Sequence, residues 1–201
     1  MGIIAMPLKS ELFFFAAVGI IFSIVTFQKN VLWGSEKGLW LDILQKSPSK
    51  ARPHTNLGMA YDLDGNIAKA EDEYNKAIQL EPDYLAAYAP LAVMYGKRGD
   101  VDRAIEMFLW LIPRLPNRDP KAHTGLGVAY MIKGLLKDAE REFQEALKID
   151  PNYEIAHYNL AEIYGQMGLK DEALKHYKIF IENAPPAQKE LVIKIKTNYG
   201  L

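Results

Sequence analysis

Apolar residues recur every three or four positions along most of the chain, which is the spacing of one face of an α-helix. From residue 51 onward these helical stretches come in pairs, each divided by a short turn that contains a glycine. A proline follows the second stretch of each pair, where it stops the helix. The turns and closing prolines are Asp64-Gly65-Asn66, Arg98-Gly99-Asp100, Lys133-Gly134, Met167-Gly168-Leu169, Pro82, Pro116, Pro151 and Pro185. The pattern therefore predicts an all-α chain of helix–turn–helix units.

One skeleton of small and aromatic residues returns at offsets of 34, 35 and 34 residues. Self-similarity at a fixed period indicates stacked repeats, in which each unit buries its apolar face against its neighbours. Small residues are expected where paired helices cross, and rings are expected to fill the space between helices. The small positions are Gly58, Ala92, Gly127 and Ala161, with Ala70, Ala104, Ala139 and Ala173 opposite, and the ring positions are Tyr74, Phe108, Phe143 and Tyr177.

This skeleton resembles the tetratricopeptide-repeat family, and the resemblance covers residues 51–187. It implies an all-α, right-handed α-solenoid of about four helix pairs with a capping helix at each end. Ser35 is the expected N-cap of the first capping helix. The implied organisation is an N-terminal segment at 1–33, a short helix and linker at 34–50, repeats at 51–84, 85–118, 120–153 and 154–187, and a capping helix at 188–201.

The N-terminal segment contains sixteen consecutive uncharged residues, Leu12–Phe27, flanked by Lys9 and Lys29. As a helix this run is about 24 Å long, somewhat shorter than the roughly 30 Å hydrocarbon core of a bilayer. An uncleaved transmembrane anchor is the favoured interpretation, and a cleaved signal sequence or a buried helix of a larger assembly are the alternatives. The expected membrane contacts are Leu12, Phe13, Phe14, Phe15, Ile20, Ile21, Phe22, Val25, Phe27 and Trp33.

The junction at residues 33–58 resembles that of multi-pass bacterial membrane proteins of the glycosyltransferase type that carry a tetratricopeptide tail. The residues that carry this resemblance are Leu39-Trp40, Asp42, Lys46-Ser47-Pro48, Ala51-Arg52, His54 and Asn56. In those proteins the repeats lie on the periplasmic side, so the resemblance implies an exported array. Lysines near the apolar run are too evenly placed to fix its orientation. The activity of those proteins is not implied, because their catalytic loops have no counterpart here.

Charge and composition exclude several kinds of function. The net charge is −1, with 16 basic and 21 acidic residues between 51 and 187. This balance does not favour nucleic acid as a partner. The chain has no cysteine, which excludes disulfides, thiolate metal sites and a cysteine nucleophile.

Four histidines are the main candidates for metal binding or catalysis. Three of them occupy the same repeat position, which Tyr88 takes in the second repeat, and equivalent positions in a solenoid are spaced along its axis. We therefore expect packing roles for them, a solvated His176 and a solvated Glu71-Asp72-Glu73 run. The three equivalent histidines are His54, His123 and His157. No phosphate-binding loop or nucleophile motif is present, so the sequence predicts no enzyme, no metal and no cofactor.

Recognition in this family is carried by first-helix residues that line the concave surface, so we expect a groove for an extended or helical peptide. The chaperone-tail clamp of the family is missing, because Met59 and Pro90 replace its asparagines. Its asparagine ladder is interrupted at Pro90 and Gly125. The predicted groove residues are Thr55, Asn56, Met59, Asp62, Val93, Lys97, Thr124, Val128, Met131, Tyr158, Asn159 and Glu162.

The second repeat departs most from the pattern. Pro113 lies inside its second helix, which should kink or shorten the last turn. Leu109 and Trp110 replace polar residues of other repeats and form a predicted convex binding patch. Trp110 is either an interface anchor or a ring folded over the gap that Pro113 creates.

These observations predict a non-enzymatic, membrane-tethered adaptor that binds a protein partner in a membrane or periplasmic complex. Two other interpretations remain open. One is an accessory or regulatory subunit of a membrane enzyme such as a glycosyltransferase, and the other is a scaffold that assembles by self-association.

Overall fold

The computed structural model describes residues 34–116 and 119–200, and the predicted membrane segment lies outside these residues. In the described ranges there are ten α-helices and no strand, which confirms the all-α prediction. The helices are α1 Glu36–Lys46, α2 Ala51–Leu63, α3 Ile67–Leu80, α4 Tyr88–Arg98, α5 Val101–Leu111, α6 Pro120–Ile132, α7 Leu136–Ile149, α8 Glu154–Gln166, α9 Lys170–Asn183 and α10 Lys189–Tyr199. None of them is long and apolar enough to cross a membrane.

Four helix pairs follow one another along the described chain: α2 with α3, α4 with α5, α6 with α7, and α8 with α9. Each pair is joined by a tight turn in which a glycine takes the left-handed conformation that the sequence predicts. The values of φ at Gly65, Gly99, Gly134 and Gly168 lie between 73° and 91°. The turn then directs the second helix back along the first.

The crossing of paired helices depends on a ring that packs against bare backbone. A Cβ atom added to Gly127 would lie 2.6 Å from the ring of Phe143, and one added to Gly58 would lie 2.7 Å from the ring of Tyr74. Both rings are fully buried. The predicted close approach of the paired helices at these glycines is therefore confirmed.

Helices cover both ends of the array. The side chain of Ser35 accepts a hydrogen bond of 3.1 Å from the backbone N–H of Gly38, which confirms the predicted N-cap of α1. At the other end, Ile195 of α10 is buried in a cluster that includes Tyr177 and Phe180. The contacts of Ile195 shield the apolar face that the last repeat would otherwise expose.

The second helix of the second repeat is shorter than its counterparts. Helix α5 has 11 residues, whereas α3, α7 and α9 have 14 each. It ends at Leu111 and continues as a 3₁₀ turn, Ile112–Arg114, with Pro113 at its centre. Proline has no backbone N–H to continue the α-helical ladder. The predicted shortening of this helix is therefore confirmed.

Two mid-helix glycines give a matched stability test. Gly127→Ala should destabilise the protein by about 1–3 kcal/mol because the new methyl group overlaps the ring of Phe143. Gly96→Ala should be neutral or stabilise it by up to about 1 kcal/mol, since its nearest new contact is the Cβ of Ala104 at 3.9 Å. Urea unfolding followed by circular dichroism measures both. Equal effects of the two substitutions would contradict the close crossing.

Candidate partner-binding groove

An open cavity of about 480 Å³ lies between the first helices of the second and third repeats, and α5 and the start of α8 complete its lining. The side chains that line it are mostly aliphatic, and three of the aliphatic ones, Val93, Ile132 and Ile155, are exposed to solvent. The lining residues are Ala92, Val93, Gly96, Lys97, Ala104, Phe108, Lys121, Thr124, Gly125, Val128, Ala129, Ile132 and Ile155. Exposed apolar side chains gathered around one cavity are typical of a binding surface.

Gly125 of α6 lines the groove at the contact between the third repeat and the second. A Cβ atom at Gly125 would lie 2.4 Å from the ring of Phe108, so bare backbone packs directly on this ring. Phe108 itself is buried and lies at the base of the cavity. The contact joins the second repeat to the third and leaves space above the ring.

The charges around the cavity have one sign. Both charged residues in its lining are lysines, Lys97 and Lys121. The ammonium of Lys97 lies 2.9 Å from a carboxylate oxygen of Asp62 in the first repeat. The groove therefore combines apolar walls with a basic rim.

The structure brings together only part of the predicted groove. Val93, Lys97, Thr124 and Val128 line the cavity, whereas Asn56, Met59 and Asp62 lie on α2 outside its lining. Met131 instead packs against the core of the third and fourth repeats. The sequence-based prediction missed Gly96, Ile132 and Ile155. Extending the repeat offsets to every first-helix position would have found Ile155, which is equivalent to Lys121 and Arg52.

Three predicted groove residues are buried and bonded to their own helices. Thr55 donates to the carbonyl of Ala51, and Thr124 donates to that of Pro120. The side-chain amide of Asn159 likewise donates over 2.8 Å to the carbonyl four residues earlier. Thr55 and Asn159 therefore lie below the surface, whereas Thr124 is buried but still borders the cavity.

In the fourth repeat, the other predicted residues are held by internal contacts. The ring of Tyr158 packs against those of Tyr177 and Phe180. Glu162 accepts a hydrogen bond from the hydroxyl of Tyr177. Burial, followed by these hydrogen bonds, raises the pKa of Tyr177 above its ordinary value. The predicted groove residues of the fourth repeat therefore contact aromatic side chains of the protein itself.

Trp110 lies between two other side chains. The Trp110 ring stacks on the ring of Tyr88, with centroids 4.4 Å apart. The guanidinium of Arg114 lies 4.2 Å from the centroid of the Trp110 ring. Arg114 also donates a hydrogen bond of 2.6 Å to the backbone carbonyl of Trp110. These contacts favour packing next to Pro113. Because 37% of Trp110 and 52% of Leu109 remain exposed, the convex patch stays a prediction.

Two of the equivalent histidines, His54 and His157, lie within hydrogen-bond distance of a proline carbonyl in the turn before their repeat. His54 lies 3.1 Å from the carbonyl of Pro48 and 2.6 Å from the carboxylate of Glu73. His123 is 2.8 Å from Glu142 in the same way. Glu73 is therefore a buried partner of a histidine, and the prediction that it is solvated was wrong. In the second repeat, Tyr88 donates to the carbonyl of Pro82 instead.

In the fourth repeat a second histidine replaces the carboxylate. Nδ1 of His157 is 2.8 Å from Nδ1 of His176, and Nε2 of His157 is 2.9 Å from the carbonyl of Pro151. Because a carbonyl only accepts, Nε2 of His157 carries a proton, and the two Nδ1 atoms share one hydrogen bond. His176 is thus half-buried and bonded, which corrects the expectation that it is solvated.

Burial, with positive charge on His157 and Lys175, lowers the pKa of His176 to about 4. The ring of Tyr164 also lies beside it, with centroids 5.5 Å apart. No group of three His, Asp or Glu side chains in the described ranges is arranged to hold a metal ion. The histidine pair thus forms a hydrogen-bonded contact between α8 and α9.

Family models described as tetratricopeptide repeat or TPR repeat match residues 51–84, 127–168 and 156–187. The protein is a tetratricopeptide-repeat protein, and its repeats are of a kind that mediates contacts between proteins.

Two similar proteins match this chain over a small part of their own length. The chain is 27% identical over 137 residues, 68% of its length, to the probable UDP-N-acetylglucosamine–peptide N-acetylglucosaminyltransferase SPINDLY of Hordeum vulgare, and covers 12% of that protein. It is 32% identical over 102 residues, 49% of its length, to anaphase-promoting complex subunit 7 of Arabidopsis thaliana, and covers 17% of it. The chain thus spans less than a fifth of either relative.

A solved structure of a thermophilic TPR protein from Thermus thermophilus has the same fold over most of its length. The TM-score is 0.67 at 21% identity, and the match covers 92% of this chain and 94% of that one. This similarity supports the repeat architecture of the described helices.

The histidine pair predicts a loss of stability in acid. An unfolded histidine takes up its proton near pH 6.5, whereas folded His176 stays neutral down to about pH 4. The unfolded state therefore binds more protons between these values, and stability should fall as pH drops from about 6.5 to 4.

His176→Glu would restore the His–carboxylate pair of the first and third repeats. We expect thermal unfolding of this variant to lose less midpoint temperature between pH 7 and pH 5 than the wild type. Lys178→Gln, which makes the same charge change at an exposed site, is the control and should behave like the wild type. Equal losses in all three proteins would show that the pair is not the acid-sensitive contact.

Proposed function

We propose that the protein is an adaptor whose groove between the second and third repeats binds a segment of a partner protein. The observation that carries this proposal is the open, largely aliphatic cavity formed by α4, α6 and α8. Such a cavity provides binding energy through apolar burial, and the first helices on both sides provide a rigid frame. The polar residues in its lining are two lysines and one buried threonine, a set that suits binding of a ligand.

We further propose that the array is tethered to a membrane and exported. The support is the uncharged run Leu12–Phe27 and the resemblance of the junction at 33–58 to periplasmic repeat tails. Tethering would restrict the array to the membrane surface and raise the effective concentration of neighbouring proteins. The partner would then belong to a membrane or periplasmic complex.

A role as accessory subunit of a membrane glycosyltransferase is the second candidate. It is supported by the same junction and by the transferase name of the SPINDLY relative. The two proposed functions use the same groove and differ only in which protein it binds.

Site-specific photocrosslinking tests the groove. A benzoylphenylalanine at Val93 should crosslink the partner in cells, because 42% of this side chain is exposed at the cavity. The same probe at Leu80 is a matched control, since 41% of Leu80 is exposed on the second helix α3. Mass spectrometry of the Val93 product then names either a glycosyltransferase, another complex or the chain itself. Identical products from both positions would contradict a specific groove.

Fractionation tests the tether separately. The full-length chain should sediment with membranes and resist extraction by salt, and detergent should release it. Protease added to intact spheroplasts should digest the repeats if they are exported. A shortened chain in the soluble fraction would instead support a cleaved signal sequence.

A further inference from the structure

We propose that the segment bound in the groove is acidic as well as apolar, with an apolar side chain in the cavity and a neighbouring carboxylate on Lys121. This inference rests on the proposed function, because it names the chemistry of the segment bound at the same site. The occupant is an internal stretch of a partner protein, in which aliphatic or aromatic residues alternate with Glu or Asp.

The apolar half of the recognition follows from the walls of the cavity. Val93 and Val128 face it from successive first helices, and Ile132 and Ile155 extend the apolar surface toward the fourth repeat. Over half of Ile132 is exposed to solvent. A cavity of about 480 Å³ has room for more than one aliphatic side chain of a ligand. Covering these walls would remove apolar surface from water, which favours binding.

The acidic half follows from the different environments of the two lysines. Lys97 already has a carboxylate partner, since its ammonium is 2.9 Å from Asp62. Lys121 forms no ion pair with any residue that the structure describes, and the intervening residues 117–118 contain no acid. The nearby carboxylate of Asp119 is bonded at 2.9 Å to the backbone N–H of Lys121, where it caps α6. The ammonium of Lys121 therefore remains available to a ligand.

Among the equivalent positions of the four repeats, Lys121 is the one that places a basic side chain at this cavity. The equivalent position is Arg52 in the first repeat, Ala86 in the second and Ile155 in the fourth. Arg52 is exposed, but it does not line the cavity. A ligand carboxylate held against Lys121 beside apolar walls would be partly shielded from water, and such shielding strengthens an ion pair relative to one on an open surface.

The test uses the full-length protein in mild detergent and two fluorescent peptides. One peptide repeats Glu-Leu-Leu-Glu, and the other replaces every Glu with Gln. Both have blocked ends, so that no terminal carboxylate contributes. Fluorescence anisotropy at low salt should show about tenfold tighter binding of the Glu peptide, which is the range expected for a charge-assisted contact. The difference should shrink as salt is added.

Matched variants then locate the contact. Lys121→Gln should bring the Glu peptide close to the affinity of the Gln peptide, whereas Arg52→Gln removes the same charge outside the cavity and should retain the difference. Val128→Glu should weaken binding of both peptides. Circular dichroism confirms that each variant is folded.

Two outcomes would overturn the inference. If both peptides bind equally and both are lost in Val128→Glu, the apolar groove remains while the acidic preference is wrong. If neither peptide binds, an acidic and apolar segment is not what the groove holds. The photocrosslink at Val93 decides independently whether the groove binds a partner, so failure of this inference and failure of the proposed function are distinguishable.

Discussion

The architecture depends on rings that occupy the space left by missing side chains. Phe143 and Tyr74 fill the helix crossings only because Gly127 and Gly58 have no Cβ atom. The same constraint acts between repeats, where Phe108 packs on the bare backbone of Gly125. That contact sets the separation of the second and third repeats, and the cavity opens directly above it. Close packing and the candidate binding surface are therefore consequences of one arrangement.

A second recurring arrangement connects the first, second and fourth helix pairs to the turn before each, with different side chains in different repeats. A histidine bridges a proline carbonyl and a glutamate in the first repeat, and tyrosine replaces it in the second. The fourth repeat uses His157 and His176. The position is retained while the partner group differs between repeats, and it is the fourth repeat in which burial lowers the pKa of a histidine, His176. The C-terminal repeat is the one that is expected to loosen first in acid.

Local periodicity predicted the four helix pairs, the left-handed turn glycines, the cap at Ser35 and the shortening at Pro113, because each depends on residues close together in sequence. Contacts between helices were harder to predict. Glu73 and His176 each lie 19 residues after the histidine they contact, and helical period alone does not indicate which second-helix face meets the first. Ile132 and Ile155 were missed for a related reason. A cavity is defined by several helices at once, whereas a sequence pattern describes one helix face at a time.

The central claim is that the groove between the second and third repeats binds a segment of a partner protein. Hydrogen–deuterium exchange of the full-length chain, with and without the Glu-Leu-Leu-Glu peptide, tests it most directly. The account predicts slower exchange at residues 92–97 and 121–132 when peptide is bound, with little change at 109–114. Protection centred on 109–114 around Trp110, with none at 121–132, would contradict it.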